Sequence, residues 1–197
     1  MTDYAAIILA GGRSSRLGGT SKATLRSGGE PLLEVVLDAV RAARTRVVVG
    51  EAPVPDDVIL TQEEPRYAGP AAAVVAGLAA VLSTGSAPAW CVVLACDLPG
   101  VREGVPLLLD AVETASGAER SGGRDGWCLT DESGRRQWLF SIVRTEPLER
   151  AAHELGDPTG APMGRLFSHL DLEEIAAPAS VTADVDTWQD AARWLQP

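Results

Sequence analysis

The sequence predicts an α/β fold of three layers, with helices on both faces of a mostly parallel central sheet. Short, near-continuously apolar runs, which are typical of strands buried on both faces, alternate with longer segments of helical periodicity. This alternation is typical of βαβ units, which place helices on both faces of a parallel sheet. The length of 197 residues is that of one domain, and we predict a single domain over residues 1–197.

The first half of the chain contains the clearest alternation. The apolar runs that we predict as strands are residues 5–9, 46–50, 57–60 and 90–95. Between them, residues 31–44 and 69–82 are predicted as helices, the second with Pro70 near its start, where a proline is tolerated. In such sheets ligands bind at the carboxyl ends of the strands, so the residues after each strand are the first candidates for a functional site.

The second half of the chain is less regular. We predict helices over 105–115, 145–156 and 187–195, and strands over 127–131 and 137–144. Residues 134–136 lie between these two strands, which suggests a hairpin. Gly156 is placed to cap the helix that precedes it.

Charge is distributed unevenly along the chain. The formal net charge is -10, from 17 basic and 27 acidic residues. Residues 1–50 hold seven basic and four acidic residues, so the acidity belongs to the remainder of the chain. An acidic surface disfavours binding to nucleic acid, which needs a basic footprint. Lys22 is the only lysine in the chain, and it lies in the basic first quarter.

Cysteine usage and the N-terminus favour a soluble, cytoplasmic protein without a membrane partner. Cys91, Cys96 and Cys128 have no CxxC spacing, which argues against a zinc site and against a secreted disulfide framework. The apolar run at the N-terminus has no basic residues before it, so no signal peptide is predicted. The longest small-apolar stretch, residues 70–82, is too short to span a bilayer.

The loop after the first predicted strand has the composition of a phosphate site. Residues 9–22, LAGGRSSRLGGTSK, contain four glycines, two arginines and the lone lysine. Glycine-rich backbone can approach an anion closely and surround it with N–H groups. The loop is neither a Walker A motif nor a GxGxxG fingerprint, which argues against an NAD-dependent oxidoreductase. The alternative interpretation is a flexible turn with solvated arginines.

Aspartates follow two other segments. Asp97 comes directly after the buried run 90–95, where it would face the same crevice as the glycine-rich loop. Mg²⁺ is commonly held by one or two carboxylates together with substrate phosphates, so Asp97 is a candidate ligand. Asp184 and Asp186 are candidates for a second ligand. The structural alternative for each aspartate is an ordinary turn or helix N-cap.

The glycine-rich loop resembles the LAGGxSxRMGxxK signature of nucleotidyltransferases with a glycosyltransferase-A-like Rossmann fold. Within that group the chain is most similar to the molybdenum cofactor guanylyltransferases. The resemblance covers nearly the whole chain. Further agreeing segments are residues 63–65, 69–70, 77–78, 96–99, 138–140, Arg144 and 184–187.

Three positions depart from the family pattern. Leu17 replaces the usual methionine, and Ser21 stands where an aspartate often precedes the lysine. Gly50 ends the second predicted strand, where some members carry an asparagine that helps to hold the guanine base. Glu63 and Glu64 are the alternative candidates for that contact, since a carboxylate can accept from the guanine N1–H and N2–H₂ groups.

The resemblance implies transfer of GMP from GTP to the terminal phosphate of molybdopterin, with Mg²⁺ as cofactor. A phosphate nucleophile is already ionised at neutral pH, so positioning and charge neutralisation suffice and neither histidine is needed. We expect Arg16, Lys22 and Asp97 to be catalytic, with Asp97 on the metal. Asp186 and Arg144 are candidates for a second metal or acceptor contact, and Arg135 and Arg136 for the acceptor phosphate. The residues expected to bind the nucleotide are Leu9, Ala10, Gly11, Gly12, Lys22, Glu64 and Asp97.

Two alternatives to guanylyl transfer stay open. One is a related nucleotidyltransferase that uses CTP or another phosphate-bearing acceptor. The other is a non-catalytic nucleotide-binding module on the same fold, which the presence of both Lys22 and Asp97 disfavours. Proteins that donate or accept the molybdenum cofactor are the protein partners that the resemblance implies.

Overall fold

A seven-stranded sheet with helices on both faces forms the body of the protein. The fold comes from a computed structural model, which describes residues 2–12, 22–27, 29–117, 123–185 and 187–194. The strands are β1 (Tyr4–Leu9), β2 (Arg26–Ser27), β3 (Glu30–Pro31), β4 (Thr45–Val49), β5 (Ile59–Thr61), β6 (Trp90–Ala95), β7 (Gly126–Thr130), β8 (Arg136–Arg144) and β9 (Leu172–Ala176). The helices are α1 (Leu32–Ala39), α2 (Pro70–Leu82), α3 (Val101–Gly117), α4 (Thr145–Leu155), α5 (Met163–Leu166), α6 (Ala179–Thr182) and α7 (Trp188–Trp194).

The strand order of the main sheet is β5-β4-β1-β6-β8-β7-β9. Strands β5, β4, β1 and β6 run parallel to one another, and β7 runs parallel to β9. Strand β8 is antiparallel to both β6 and β7. The predicted three-layer α/β fold with a mostly parallel sheet is therefore confirmed, and β7 and β8 form the predicted hairpin.

The apolar side chains of β1 explain why the core has two sides. Successive residues of a strand point to opposite faces of the sheet. Ala6 and Ile8 pack with α1 and α3 on one face, whereas Ala5, Ile7 and Leu9 pack with α2 and α4 on the other. All five are buried. A strand buried on both faces reads as a continuous apolar run, which is why this element is visible in the sequence.

The boundaries of three predicted elements differ from the structure by two or more residues. Helix α1 ends at Ala39 rather than at residue 44, because i→i−3 bonds such as Arg41 N–H to Asp38 O tighten the chain before β4. Helix α3 begins at Val101 and contains Pro106 within its length. Strand β5 begins at Ile59, two residues after the predicted start.

Strand β9 has no counterpart in the sequence-based prediction. Its sequence, LEEIA, contains two adjacent exposed glutamates, so it has no continuous apolar run. It pairs in parallel with β7 at the edge of the sheet, where one strand side and much of each face stay in contact with solvent. Because β9 forms by pairing with β7, its position depends on the tertiary structure and not on its local sequence pattern. In the described part of the chain no helix is long and apolar enough to cross a membrane.

Candidate active site

The loops that follow four parallel strands meet at one edge of the sheet. Ala10 N–H donates to Val49 O at 2.9 Å, and Cys96 N–H donates to Leu9 O at 3.0 Å. Gly50 N–H donates to Thr61 O, also at 2.9 Å. These bonds tie the ends of β1, β4, β5 and β6 together. The loops that the sequence singled out therefore share one edge, as expected for a parallel sheet.

A cavity of about 750 Å³ lies at this edge. Its floor is formed by the ends of β1 and β6, through Leu9, Gly11, Gly12, Ala95 and Asp97. The side nearest α2 contributes Tyr67, Gly69, Pro70 and Ala73, and the β8 side contributes residues 135–140. A volume of this size lies within the range of small-molecule sites, roughly 300–1,000 Å³.

The glycines after β1 present exposed backbone to the cavity. Gly11 and Gly12 are exposed, and Gly12 has φ of 131°, a conformation that side-chain-bearing residues rarely adopt. Leu9 and Ala10, predicted with them as nucleotide contacts, are buried, and of the two only Leu9 borders the cavity. The N–H groups that this loop offers a ligand are the chemical feature of a phosphate cradle.

Gly50 has a structural reason to be glycine. Its φ is 132°, and a Cβ built on it would lie 2.7 Å from the Gly11 nitrogen and 2.8 Å from the Ala10 carbonyl carbon. Both neighbours are backbone atoms, which cannot rotate away as a side-chain end can. An asparagine at this position would therefore require the Ala10–Gly11 backbone to shift.

Two aspartates border the cavity. Asp97 is 6% exposed and follows β6 directly, as predicted. Asp184 also lines the cavity, and the next residue, Val185, donates its N–H to the Asp97 carbonyl oxygen at 3.2 Å. The segment that carries Asp184 is thus attached to the end of β6. Carboxylate oxygens are the donors that Mg²⁺ prefers. Among the described residues no three His, Cys, Asp or Glu side chains form a metal cluster.

A second, smaller cavity of about 500 Å³ lies at the ends of β4 and β5. Its lining includes Gly50, Glu51, Thr61, Gln62 and Arg66. Arg66 Nε donates to Gln62 Oε1 at 2.8 Å, and a terminal nitrogen of Arg66 pairs with Glu51. The carbonyl oxygen of the Gln62 amide accepts this hydrogen bond from Arg66. The NH₂ group of Gln62 is therefore the group that faces a ligand as a hydrogen-bond donor.

Glu63 and Glu64, the alternative base contacts, differ sharply in environment. Glu63 is only 8% exposed, and its Oε1 accepts from the Tyr67 N–H at 3.0 Å. Its Oε2 is buried and has no hydrogen-bond partner within the described structure. Glu64 is exposed. Neither residue lines either cavity, whereas Gln62, which the sequence analysis did not select, does.

The β7–β8 hairpin brings two of the predicted arginines to the main cavity. Arg135 is exposed, and its guanidinium forms no hydrogen bond or ion pair with the described residues. Arg136 Nε donates to Glu174 Oε1 at 2.7 Å, and its guanidinium carbon lies 5.2 Å from the centre of the Trp138 ring. Arg135 is therefore the arginine available to an anionic ligand, and Arg136 is engaged with protein groups.

Arg144 does not lie at the cavity. It pairs across the sheet with Trp90, at the start of β6, whereas Asp97 follows the end of that strand. Its guanidinium carbon sits 4.5 Å from the centre of the Trp90 ring, a cation–π contact at the opposite edge of the sheet. The prediction of Arg144 as a metal or acceptor contact is corrected by this placement, because β8 runs antiparallel to β6.

Three predicted site groups lie outside the described residues. They are Arg16, Asp186 and the side chain of Lys22, so their predicted roles stay predictions. The backbone of Lys22 begins a short 3-10 helix, Lys22–Thr24, at the end of the glycine-rich loop.

The sequence-based prediction gave no site role to two aromatic side chains and one methionine of the cavity. Tyr67, Trp138 and Met163 all line it, on the loop before α2, on β8 and on α5. Their types and positions are compatible with ordinary core packing, and only the meeting of these elements identifies them. The strand-end rule marks residues directly after parallel strands. Trp138 and Met163 lie elsewhere, and Tyr67 lies six residues beyond the end of β5.

Residues 6–173 match the family described as the MobA-like NTP transferase domain. The match extends over most of the chain. The chain belongs to this family. Its resemblance to the molybdenum cofactor guanylyltransferases is confirmed, and so is the prediction of a nucleotidyltransferase.

Curated relatives agree with this assignment. The molybdenum cofactor guanylyltransferase of Pseudomonas putida is 36% identical over 160 residues, which cover 77% of this chain and 76% of that protein. The enzyme of the same name from Serratia proteamaculans is 35% identical over 102 residues, and the match spans about half of that protein, 48%.

Solved structures share the fold at low sequence identity. Rv0371c from Mycobacterium tuberculosis H37Rv has a TM-score of 0.71 and 22% identity, covering 100% of this chain and 98% of that chain. Molybdopterin-guanine dinucleotide biosynthesis protein A from Archaeoglobus fulgidus has a TM-score of 0.65 and 20% identity, covering 97% and 96%. A third, 4-diphosphocytidyl-2C-methyl-D-erythritolsynthase from Anaerococcus prevotii, has a TM-score of 0.66 and 11% identity, covering 98% and 96%. They confirm the Rossmann-like fold.

Proposed function

We propose that this protein transfers GMP from GTP to the terminal phosphate of molybdopterin and releases pyrophosphate. The observation that carries the proposal is the common cavity of Gly11, Gly12 and Asp97, in a chain of the MobA-like NTP transferase family. A loop of exposed backbone N–H groups and a carboxylate within one cavity meet the needs of phosphoryl-type transfer. The names of the curated relatives supply the nucleotide and the acceptor.

The glycine loop would hold the triphosphate. N–H groups near Gly11 and Gly12 would donate to its oxygens, as backbone does in other anion-binding loops. Arg16 lies within the same glycine-rich segment of the sequence, and Lys22 is its last residue. Both would neutralise charge on the α-phosphate and on the leaving pyrophosphate.

Asp97 is the proposed ligand of Mg²⁺, and Asp184 is the described carboxylate that lines the same cavity. Two carboxylates fit a magnesium ion that takes its remaining ligands from phosphates and water. A bound ion would neutralise charge on the phosphates of the nucleotide. Asp186, two residues after Asp184, is a further proposed ligand.

The chemistry requires no protein base. An oxygen of the acceptor phosphate attacks the α-phosphorus of GTP, and the bond from this phosphorus to the bridging oxygen breaks. The bonding electron pair leaves with pyrophosphate. His153 and His169 are exposed and line neither cavity, which agrees with a mechanism that does not use them. Hydrogen-bond donors that are already positioned stabilise the transition state most strongly where negative charge develops.

Cytidylyl transfer is the second candidate, and two observations in the smaller cavity favour it. Gly50 has no side chain to hold a guanine, and Gln62 offers NH₂ donors rather than the carboxylate that guanine N1–H and N2–H₂ would favour. Cytosine presents acceptors at N3 and O2, which match such donors.

Turnover of two variants tests the proposed mechanism. We expect wild-type protein to release pyrophosphate from GTP only when Mg²⁺ and molybdopterin are present. Asp97→Asn should lower kcat by about 100-fold or more, because it removes the proposed metal ligand. Lys22→Ala should lose turnover and retain GTP binding. The matched control is Asp110→Asn, an exposed aspartate on α3, which should leave the rate unchanged. Turnover that survives either of the two active-site changes would contradict the mechanism.

A thermal-shift panel of GTP, CTP, ATP and UTP with Mg²⁺ separates the two nucleotide candidates. A ligand at about 100 times its Kd should stabilise the protein by roughly 2.7 kcal/mol. Stabilisation by GTP alone supports guanylyl transfer. Stabilisation by CTP and not by GTP would replace the guanylyl proposal with the cytidylyl one. In the cell, cytoplasmic molybdenum-cofactor donor or acceptor proteins are the proposed partners.

A further inference from the structure

The segment that carries Asp184 is attached to the loop after β6 through α6. Gly100 belongs to that loop, which begins with Asp97 and its neighbours. A Cβ built on Gly100 would lie 2.3 Å from the Ser180 carbonyl oxygen and 2.5 Å from the Val181 Cα. Both are backbone atoms of α6, so this helix rests directly on the loop, and a side chain at Gly100 would push it away.

Val185, the residue after Asp184, provides a second attachment. Its N–H donates to the Asp97 carbonyl oxygen at 3.2 Å, and its side chain is fully buried. The side chain belongs to a small apolar cluster that is separate from the two large clusters of the sheet. The other members of the small cluster are Leu25, Leu32 and Ala191. Val185 is therefore fixed through both its backbone and its side chain.

The small cluster joins parts of the chain that are distant in sequence. Leu25 follows the short 3-10 helix that begins with Lys22, and Leu32 is the first residue of α1. The Leu32 N–H donates to the Leu25 carbonyl oxygen at 2.7 Å, so these two residues are also connected through their backbone. Ala191 belongs to α7. Because Val185 is in the same cluster, the segment after α6 is connected with the chain that follows the glycine-rich loop.

The start of α7 is held by side-chain hydrogen bonds. Asp190 Oδ2 accepts from the Thr187 N–H at 2.8 Å and from the Thr187 hydroxyl at 2.7 Å. The Asp190 N–H donates in return to Thr187 Oγ1 at 3.2 Å. This reciprocal arrangement resembles a capping box, which fixes the first turn of a helix. The chain is thus anchored on both sides of Asp184, by α6 before it and by α7 after it.

We infer that Val185 is a positioning residue, which holds Asp184 at the edge of the sheet where Asp97 lies. The Val185 side chain lies in the apolar cluster, whereas Asp184 lines the main cavity. The inference rests on the proposed function, in which Asp97 and Asp184 are ligands of one divalent cation. Mg²⁺ demands near-ideal octahedral geometry, so a carboxylate that is displaced by a loose anchor binds it less well.

Binding of Mn²⁺ to the whole protein tests the inference without turnover. Mn²⁺ prefers the same oxygen ligands as Mg²⁺, and the electron paramagnetic resonance signal of the free ion gives the bound fraction. Val185→Ala should weaken Mn²⁺ binding by about tenfold, because residues that orient a ligand typically change metal affinity by about 10- to 100-fold. Val185→Ile keeps a branched apolar side chain in the cluster and should restore part of the lost affinity.

Val112→Ala is the matched control for the loss of packing. Val112 is also buried, lies on α3 and does not line the cavity. Its truncation should lower the urea midpoint, as that of Val185 does, and leave the Mn²⁺ affinity unchanged. An equal loss of Mn²⁺ affinity in the two variants would assign the effect to general destabilisation and would overturn the inference.

A double variant shows whether Val185 acts through Asp184. Asp184→Asn alone should weaken Mn²⁺ binding by about tenfold or more, and adding Val185→Ala should cause no further loss. A further loss, or wild-type affinity in Val185→Ala, would refute the inference and leave the proposed function standing. Wild-type affinity in Asp184→Asn would remove the proposed second ligand and the inference with it. The same result in Asp97→Asn as well would contradict the proposed function itself.

Hydrogen exchange followed by mass spectrometry tests the connection with the glycine-rich loop. In Val185→Ala, peptides that contain Leu25 and Leu32 should exchange faster than in wild type, because their shared cluster opens more often. In Val112→Ala the same peptides should exchange at the wild-type rate. Wild-type exchange of these peptides in Val185→Ala would show that the cluster does not connect the two segments.

Discussion

At the scale of single residues, Gly50 shows how backbone contact can determine residue choice at the edge of the sheet that carries the cavities. Its φ lies in the left-handed region, and a Cβ at this position would overlap backbone atoms of Gly11 and Ala10. The sequence shows only that an asparagine of some relatives is missing. The structure supplies the reason, since the glycine lets the end of β4 pack directly against the glycine-rich loop.

Replacement of Gly50 by alanine should destabilise the protein. The strained φ and the clash with backbone should together lower the free energy of unfolding by about 2–4 kcal/mol. GTP binding should weaken as well, because Gly11 must move. Urea denaturation and nucleotide titration of Gly50→Ala measure both effects.

Gly85→Ala is the matched control for the Gly50 change. Gly85 also has a positive φ, 75°, but a Cβ there meets no atom within 4 Å. It should lose only about 1 kcal/mol, the cost of the backbone conformation. Equal losses in the two variants would show that the contact with the glycine-rich loop contributes nothing to stability.

At the scale of elements, the β7–β8 turn depends on one aspartate. Asp131 Oδ1 accepts from the Ser133 N–H at 2.9 Å and from the Ser133 hydroxyl at 2.6 Å, and Oδ2 accepts from Gln137 Nε2 at 2.9 Å. The hydrogen bonds from Ser133, followed by the one from the Arg135 N–H, lower the pKa of this carboxyl below its ordinary 3.8. The same turn carries Arg135 to the cavity.

The turn should therefore contribute stability that depends on pH. A carboxyl whose pKa is lowered by folding stabilises the folded state above its unfolded pKa, about 3.8, and this contribution disappears as the pH falls through the lower folded value. Asp131→Asn should be less stable than wild type at pH 6, and the difference should shrink towards pH 2. Urea midpoints across this range measure it.

Asp110→Asn is the comparison for the turn variant. Asp110 is exposed on α3 and has no hydrogen bond or ion pair to any described residue. Its difference from wild type should be small and should not follow the same pH course. A constant difference for Asp131→Asn between pH 6 and pH 2 would show that ionised Asp131 does not support the turn.

The sequence predicted most elements, and β9 shows why one of the remaining elements was not predicted. β1, β6 and α2 are apolar throughout because they are buried by their neighbours, so composition reveals them. β9 is an edge strand with exposed glutamates, and its existence depends on pairing with β7. The local sequence pattern of β9 does not indicate a pairing strand that lies more than 40 residues away in the chain.

At the scale of the whole molecule, the central sheet buries two cysteine thiols and shields them from reagents in solution. Cys91 on β6 and Cys128 on β7 are fully buried in the same apolar cluster. Burial raises the pKa of Cys91 to about 11 and that of Cys128 to about 12. Both thiols are therefore protonated at neutral pH and are poor nucleophiles, because the thiolate is the reactive form.

Alkylation of these thiols should report opening of the sheet. At pH 8 iodoacetamide should leave both unmodified in native protein, and their rates should rise together as urea increases the unfolded population. Peptide mapping by mass spectrometry follows each cysteine separately. Labelling of either thiol at a rate that does not depend on urea would show that its strand opens locally.

The sequence by itself determined the fold class and the positions of the glycine-rich loop and of Asp97 at the ends of β1 and β6. These features come from local pattern, since a buried parallel strand must be apolar and a loop that approaches an anion must be rich in glycine. Only the tertiary structure decided which groups meet. The antiparallel course of β8 put Arg144 at the far edge and brought Arg135 and Trp138 to the cavity. It also placed Arg135 and Trp138 in one cavity with Asp97 and Asp184, because distant segments become neighbours only when the sheet forms.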